Sequence, residues 1–533
     1  MPELHFKGKE FVYNHHLSVP YRPLVIDDGK SVGEAHDLNG NLIIHGDNLH
    51  ALKALMPLYA GKVDCVFIDP PYNTGNEGWC YNDNVNSPML KEWLASNPVG
   101  IEDGLRHDKW LAMMYPRLKL LRELLSEDGF IFVCIDKNES HRLRSILEEI
   151  FGEDNFRNEI IIRRGVKNVQ SQFEDIDSLN VGHDTLYLFS KRTDIRLPKL
   201  MTLSDEDEPG KWDTFWRGTD RETMRYPLFG TTPESGQWRW KKSRAEQAQK
   251  NYEEYLSNFA DQMSLDEFFY LRTQELGSDS DFLRQNDEGV IQYYVSPRNY
   301  KLMSDVWMRI STAGTFTDFP HEKNLELVET AIRWVTKKSS LVLDSFAGSG
   351  STGHAVISAN SKDQGSRRFI LVEMENYADQ TTAQRIRNAI STQQQSSTLF
   401  SDSESFTYCT LGEPIDLDAI LTGENLPPYE AIGSWLFHTA TGEALDSSHV
   451  DMANWYLGET SAYYVWLVYK PELEFLKSRD AALTLNLAEK IAKAKLGKKH
   501  LVFAPAKFVP NKTLLPLGVE YAPLPFSLYK LEK

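Results

Sequence analysis

The chain has 533 residues, 41% hydrophobic and 25% charged, with a net charge of −18. That length allows about two to four globular domains, and no apolar run approaches a membrane span. The acidic balance argues against a surface coated all round for nucleic acid, but phosphate contacts depend on local charge, so a basic cleft stays open. Four cysteines, at 65, 80, 134 and 409, lack metal-ligand spacing. They point to reduced cytosolic thiols rather than a zinc site or a disulfide frame. The opening MPELHFKGKE has no signal-peptide core, so the expected location is cytoplasmic.

Residues 1–40 read as an irregular lead-in. From Asn41, "NLIIHGDNLHALKALMPLYAGKVDCVFIDPPY" reads strand, helix, strand, with Asp47 as the helix cap. A long helix is predicted near Lys109 to Leu125. "GFIFVCID" is a second buried strand that ends in an acid, Asp136, and "ESHRLRSILEEIFG" is an amphipathic helix closed by Gly152. From about Ile160 the pattern changes. "EIIIRRGVKN" and "HDTLYLFSK" look like strands, and a polar stretch follows with Trp212, Trp216, Trp238 and Trp240 among many arginines and lysines. "SRAEQAQKNYEEYLSNF" is a predicted helix within it. The α/β pattern returns near Phe319. "NLELVETAIRWVTK" is a helix, "SLVLDSFAGSGSTGHAVISAN" reads strand, glycine turn, helix, and "RRFILVEME" is a strand. "QQQSST" looks like a linker, and the remainder holds short strands and a basic helix, "LAEKIAKAKLGKKH". This alternation predicts an α/β, Rossmann-like parallel sheet with helices on its faces. The expected divisions are 41–164, an insert at 165–305, 306–392, a linker at 393–405 and a C-terminal domain at 406–533.

Two strand ends carry chemistry. "DSFAGSGST", from Asp344 to Thr352, joins a strand to a helix, and Gly348 and Gly350 allow close approach of a ligand to the backbone. A third glycine at 353 breaks the spacing of a dinucleotide fingerprint, and no hydride-chemistry residues stand beside it. The next strand ends at Glu373, an acid placed to hold ribose hydroxyls, with Glu375 as a competitor. No phosphate-binding GxxxxGK[ST] occurs. A ligand with ribose and adenine but no phosphates fits, and S-adenosylmethionine is such a ligand.

The other strand end is "CVFIDPPYNTG", Cys65 to Gly75. Its apolar half is a doubly covered strand, and Pro70 and Pro71 stop it dead. Asp69 and Tyr72 are left on a stiff loop at the edge where open α/β sheets bind ligands. The amine of adenine is a poor nucleophile because its lone pair is delocalised. Asp69 and the Pro70 carbonyl supply two acceptors for its protons, Pro71 stiffens the loop, and Tyr72 offers a flat face to an extruded base.

"DPPYNTG" followed far downstream by "DSFAGSG" resembles the beta class of DNA amino-methyltransferases, in which the catalytic motif precedes the cofactor motif and a target-recognition segment lies between them. "WLAMMYPRLKLLRELLSEDGFIFVCIDKNE" and "LVFAPAKFV" resemble the modification (Mod) subunits of type III restriction–modification systems. The resemblance covers most of 40–400. It implies a circularly permuted S-adenosylmethionine-dependent methyltransferase sheet with Asp69, Pro70, Pro71 and Tyr72 as the catalytic loop. Asp344, Phe346, Ala347, Gly348, Ser349 and Gly350 become the cofactor turn, with Glu373 on the ribose and Asp47 near the adenine. His321, Glu322, Lys323 and Asn324 match a segment that closes over the methionine end, with Asn324 where relatives carry proline. Ser345 stands where many relatives carry proline or phenylalanine.

Implied partners are double-stranded DNA, a second copy of the chain and a restriction subunit, in a nucleoid-associated setting. Arg163, Arg164 and Lys167 are candidate phosphate contacts, and 165–305 is the sequence reader. Aspartate at the first loop position favours adenine N6. Cytosine N4 and a catalytically silent specificity subunit are the alternatives.

Overall fold

The computed structural model describes residues 3–34, 36–74, 104–165, 179–276, 280–314, 322–396, 405–415, 420 and 426–524. The chain divides into two compact units, Lys199–Ser304 and the remainder.

The larger unit is built on a ten-stranded sheet. Its strands are β1 (Leu24–Ile26), β2 (Leu42–His45), β3 (Val63–Ile68), β4 (Leu125–Ile135), β5 (Phe156–Arg163), β6 (His183–Ser190), β7 (Val306–Ser311), β8 (Leu341–Asp344), β9 (Arg368–Glu373) and β10 (Thr407–Leu411). Their spatial order is β1-β10-β2-β9-β8-β3-β4-β6-β5-β7. Strands from β10 to β4 run parallel, and β6 is antiparallel to both β4 and β5.

Parallel strands need both faces covered, and the central ones are buried throughout. In β3, Val66 and Ile68 join one core with Leu343 of β8 and Ile131 of β4. Helices α1 (Asn48–Tyr59), α2 (Arg106–Leu124) and α3 (Ser140–Phe151) close that core with Leu52, Trp110 and Ile146. The alternate residue Phe67 meets Phe132 at 6.1 Å. Phe132 in turn meets Trp334 of α4 (Leu325–Val335) at 6.4 Å. Helices α5 (Ser351–Asp363) and α6 (Gln384–Ser396) follow β8 and β9 in the chain. From β8 the chain steps outward to β9, whereas from β3 it steps the other way to β4. The crevice between the C-terminal ends of β8 and β3 is therefore the topological switch point, where open α/β sheets take ligands.

Several expected boundaries move. The lead-in 1–40 is not wholly irregular, because β1 forms the sheet edge by pairing with β10. The insert begins later than 165: β6 is an integral sheet strand, and the separate unit starts at Lys199. Helix α6 runs into the expected linker, and β10 places the start of the C-terminal region in the central sheet. A four-stranded sheet follows, of Tyr456–Glu459, Tyr463–Leu467, Lys499–Ala504 and Val519–Pro523. It belongs to the larger unit: Leu445 N donates to Pro57 O of α1 at 2.8 Å. The basic helix stops at Ala494, and Lys499 and His500 lie in a strand instead.

In the smaller unit, Lys211–Thr214, Leu283–Gln285 and Ile291–Val295 form a three-stranded sheet. Phe215, Trp238 and Ile291 make its core. Trp216 is 44% exposed, so three of the four tryptophans pack and this one stays available. Among the described residues no helix is long and apolar enough to cross a membrane.

Candidate active site

Strand β3 carries Asp69 out of its C-terminal end, and β8 carries the glycine turn out of the same edge. The two strands are hydrogen-bonded neighbours, with Cys65 opposite Val342 and Val66 opposite Leu343. Continuing that register brings Asp69 level with Phe346. The structure thus brings together two motifs that lie far apart in the chain.

Asp69 forms an ion pair with Lys323 Nζ at 3.1 Å, and its side chain keeps 23% of its surface open. Burial raises the Asp69 carboxyl above its ordinary range, against the pull of Lys323 and Tyr72. Burial works against the Lys323 ammonium too, but Asp69, Cys134 and Asp184 outweigh it and hold the lysine charged. The same Nζ donates to Tyr72 Oη at 2.5 Å and stands 4.7 Å from the ring centre. Tyr72 Oη reaches Cys134 Sγ at 3.2 Å. Trp110 Nε1 donates to Pro71 O at 2.6 Å, so the proline loop is pinned from α2.

Beyond Tyr72 the chain turns at Asn73, which has φ 59°. Asparagine tolerates this left-handed conformation better than most residues. Its buried amide donates to Glu139 Oε1 and, at 3.2 Å, to Arg106 O. Glu139 also binds His107 and Arg142. This brace between the loop, α2 and α3 escapes the sequence reading because its members are scattered.

The glycine turn is equally anchored. Gly350 has φ 84°, and a Cβ there would lie 3.0 Å from Thr382 O. Thr382, in a π-helical turn before α6, donates to Gly348 O at 2.6 Å. Each Glu373 carboxylate oxygen accepts one backbone N–H, from Gly348 at 2.8 Å and from Glu375 at 2.9 Å. Glu375 thus supplies a backbone donor to Glu373. Ser349 Oγ accepts from Arg385 Nη1 at 2.9 Å, and Arg385 pairs with Glu322 at 2.8 Å, both side chains 1% exposed.

The segment beside Glu322 is held as well. Ser351 Oγ donates to Lys323 O at 3.2 Å. Asn324 caps α4, its side chain accepting from Glu326 N at 2.8 Å. That capping role accounts for an asparagine at the position where the resemblance implies proline.

Asp344 is 4% exposed. It accepts from Phe346 N at 2.9 Å and Thr352 Oγ1 at 2.5 Å. Burial, with Asp69 and Glu373 nearby, pushes its carboxyl up to about 7 against those two donors. The folded state therefore binds this proton more tightly than the unfolded chain does. Its stabilising contribution is complete below the ordinary value of 3.8 and is lost as pH rises through about 7. Asp344→Asn keeps both partners, accepting from Phe346 N and donating to Thr352 Oγ1. Scanning calorimetry should find its Tm gain over the native chain at pH 5 less than half of that at pH 8, where it reaches several degrees, on the order of a few kcal/mol. An equal gain at both pH values would show that Asp344 does not titrate there.

Asp47 caps α1, accepting from Leu49 N at 2.9 Å and His50 N at 3.2 Å, and lies 3.5 Å from Arg117. It leaves β2, the neighbour of β9, so it shares the sheet edge with Glu373. Arg163 is exposed at the end of β5. Arg164 is committed to Asp184 at 3.3 Å and Asp136 at 3.7 Å, so it is not a free cation. Lys167 and His321 lie outside the described residues.

Residues 63–384 match the model of the N6/N4 DNA methylases. The chain belongs to that family. The methylase is 28% identical over 413 residues to the EcoPI Mod subunit of a type III restriction–modification enzyme from Escherichia phage P1, covering 68% of this chain and 62% of that one. Identity to the type II methyltransferase M.KpnI of Klebsiella pneumoniae is 29% over 390 residues, covering 65% and 84%. The chain thus spans about three fifths of the length of the Mod relatives it matches. Among solved structures it is similar to the cytosine-N4-specific PvuII DNA methyltransferase, at 13% identity and a TM-score of 0.34 over 68% of this chain and 89% of that one.

Proposed function

We propose that this methylase transfers a methyl group from S-adenosylmethionine to N6 of an adenine turned out of double-stranded DNA at a specific sequence, as a type III-like modification subunit. The observation that carries the reading is the adjacency of the Asp69 loop and the glycine turn on neighbouring parallel strands, at the switch point of the sheet. The residues present fit the donor. Glu373 is fixed by the backbone N–H groups of Gly348 and Glu375 beside the glycine turn, placed to accept from a ribose hydroxyl. At Gly350 the left-handed backbone and the approach of Thr382 O call for glycine, which fixes the shape of the turn. S-adenosylmethionine supplies an electrophilic methyl group on a positively charged sulfur.

Everything else is done by the chain. Asp69 accepts one amine hydrogen and Pro70 O the other, which localises the nitrogen lone pair toward the donor. Asp69 also takes the surplus proton once the nitrogen carries its methyl group. Pro71, pinned by Trp110, keeps the loop from yielding. Tyr72 stacks on the base, and Asp47 stands toward the adenosyl end. Arg163 and Lys167 contact phosphates, and the unit 199–304 reads sequence, with exposed Trp216 over a cleft of about 300 Å³ as one contact surface.

Support for a type III system rests on the Mod relatives, and a second copy and a restriction subunit are the partners that follow from it. The test is expression in a methylation-free host followed by single-molecule sequencing of its DNA. N6-methyladenine at one motif is expected, and N4-methylcytosine or unmodified DNA would overturn the assignment.

A further inference from the structure

Lys323 stands where the target amine must go. Its ammonium lies 3.1 Å from Asp69 Oδ1 and 2.5 Å from Tyr72 Oη, so it uses the acceptor and crowds the aromatic face that the base needs. Its side chain is 11% exposed. Its backbone is tied to the first turn of α5 through Ser351 and bridged to Ala313, so the pairing is built in rather than a chance contact of a loose surface lysine. Asp184 lies near both partners but is itself paired with Arg164 at 3.3 Å, so the cation that answers the charge of Asp69 is Lys323.

We propose that Lys323 is a resident counter-ion that fills the amine site of Asp69 in the empty enzyme and surrenders it when a cationic cofactor enters. This rests on the methyl-donor reading above and adds a trigger: the cofactor's charge, rather than its adenosyl part, clears the site for the base. A sulfonium beside Asp69 replaces the ammonium as counter-charge and repels it. A neutral thioether in the same place leaves Lys323 where it is. Amine access thus becomes conditional on an unreacted cofactor, and after transfer the lysine returns and helps expel the methylated amine. Lys323 is a positioning residue here, because it acts through Asp69.

Calorimetric titration of S-adenosylmethionine and S-adenosylhomocysteine at pH 8, without DNA, tests this. In the native chain one cation merely replaces another, so the two affinities lie close together. In Lys323→Met the sulfonium meets an unmatched Asp69, and the preference for S-adenosylmethionine over the thioether is expected to rise at least tenfold. Lys323→Arg retains the native ratio. A Lys323→Met ratio within twofold of the native one overturns the counter-ion role. Failure of the native chain to bind either ligand instead overturns the methyl-donor reading and this inference with it. A second measurement needs no variant. Acetylation of Lys323 by acetic anhydride, followed by mass spectrometry with Lys362 as the exposed reference, should be slow in the free protein and with S-adenosylhomocysteine, and several-fold faster with S-adenosylmethionine. Equal protection by the two ligands would also sink the idea.

Discussion

Asp69→Ala is expected to lower methyl transfer about 10²–10⁴-fold, the range for losing a positioned proton acceptor at a reacting centre. Binding of the uncharged cofactor product, S-adenosylhomocysteine, should change far less. Asp69 leaves β3, whereas the residues proposed to hold the cofactor leave β8, β9 and β2 and keep their own hydrogen bonds. Tritiated methyl transfer and titration of that product separate the two effects. Asp69→Asn should be nearly as damaging, because an amide presents one acceptor and a donor pair where the amine needs acceptors. The rate of the native enzyme should also fall at higher pH than an ordinary aspartate would dictate. Burial raises the Asp69 carboxyl, and the active form is the ionised one, so activity is present above that raised value and lost as pH drops through it. Unimpaired turnover in Asp69→Ala would mean that the amine is not held by this carboxylate.

The sheet was legible because its strands are doubly buried. Unbroken apolar runs such as "CVFI" and "LVL" end in Asp69 and Asp344, and the acid at each end marks where the core stops. The boundaries were less legible because β1 and β10 lie at the sheet margin and pair with each other from opposite ends of the chain, while β6 joins the sheet from beyond the expected start of the insert. Val25 of β1, for example, is 48% exposed, and such a half-open edge strand carries little alternation for a reader to find. The catalytic loop and glycine turn announced themselves through prolines and glycines, whose backbone limits are local. Their supports did not. Glu139, Thr382 and Arg385 act through contacts spanning 34 to 66 residues, and nothing in their neighbours' identities encodes those contacts. Asn324 is an intermediate case. A missing proline looked like a departure from pattern, yet an asparagine just before an amphipathic helix is an ordinary cap.

Arg385→Met should be the most destabilising single change near the site. Arg385 and Glu322 are each 1% exposed and 2.8 Å apart, so removing the guanidinium strands a carboxylate in the interior. Breaking such a buried pair costs about 3–5 kcal/mol, because the desolvation of the surviving charge is no longer offset. Two further bonds go with it, from Arg385 to Ser349 Oγ at 2.9 Å and to Ser351 Oγ at 3.0 Å. Those serines belong to the glycine turn and the first turn of α5, so the variant that folds should also bind cofactor more weakly. The double change Arg385→Met with Glu322→Leu separates the two consequences. With no buried charge left, stability should recover much of the loss, since apolar replacements of buried pairs are often neutral or better. Cofactor affinity should stay low, since the serines still lack their donor. Urea unfolding and cofactor titration of the three proteins measure both quantities. Recovery of affinity together with stability in the double variant would mean that Arg385 serves only as Glu322's partner and does not order the cofactor turn.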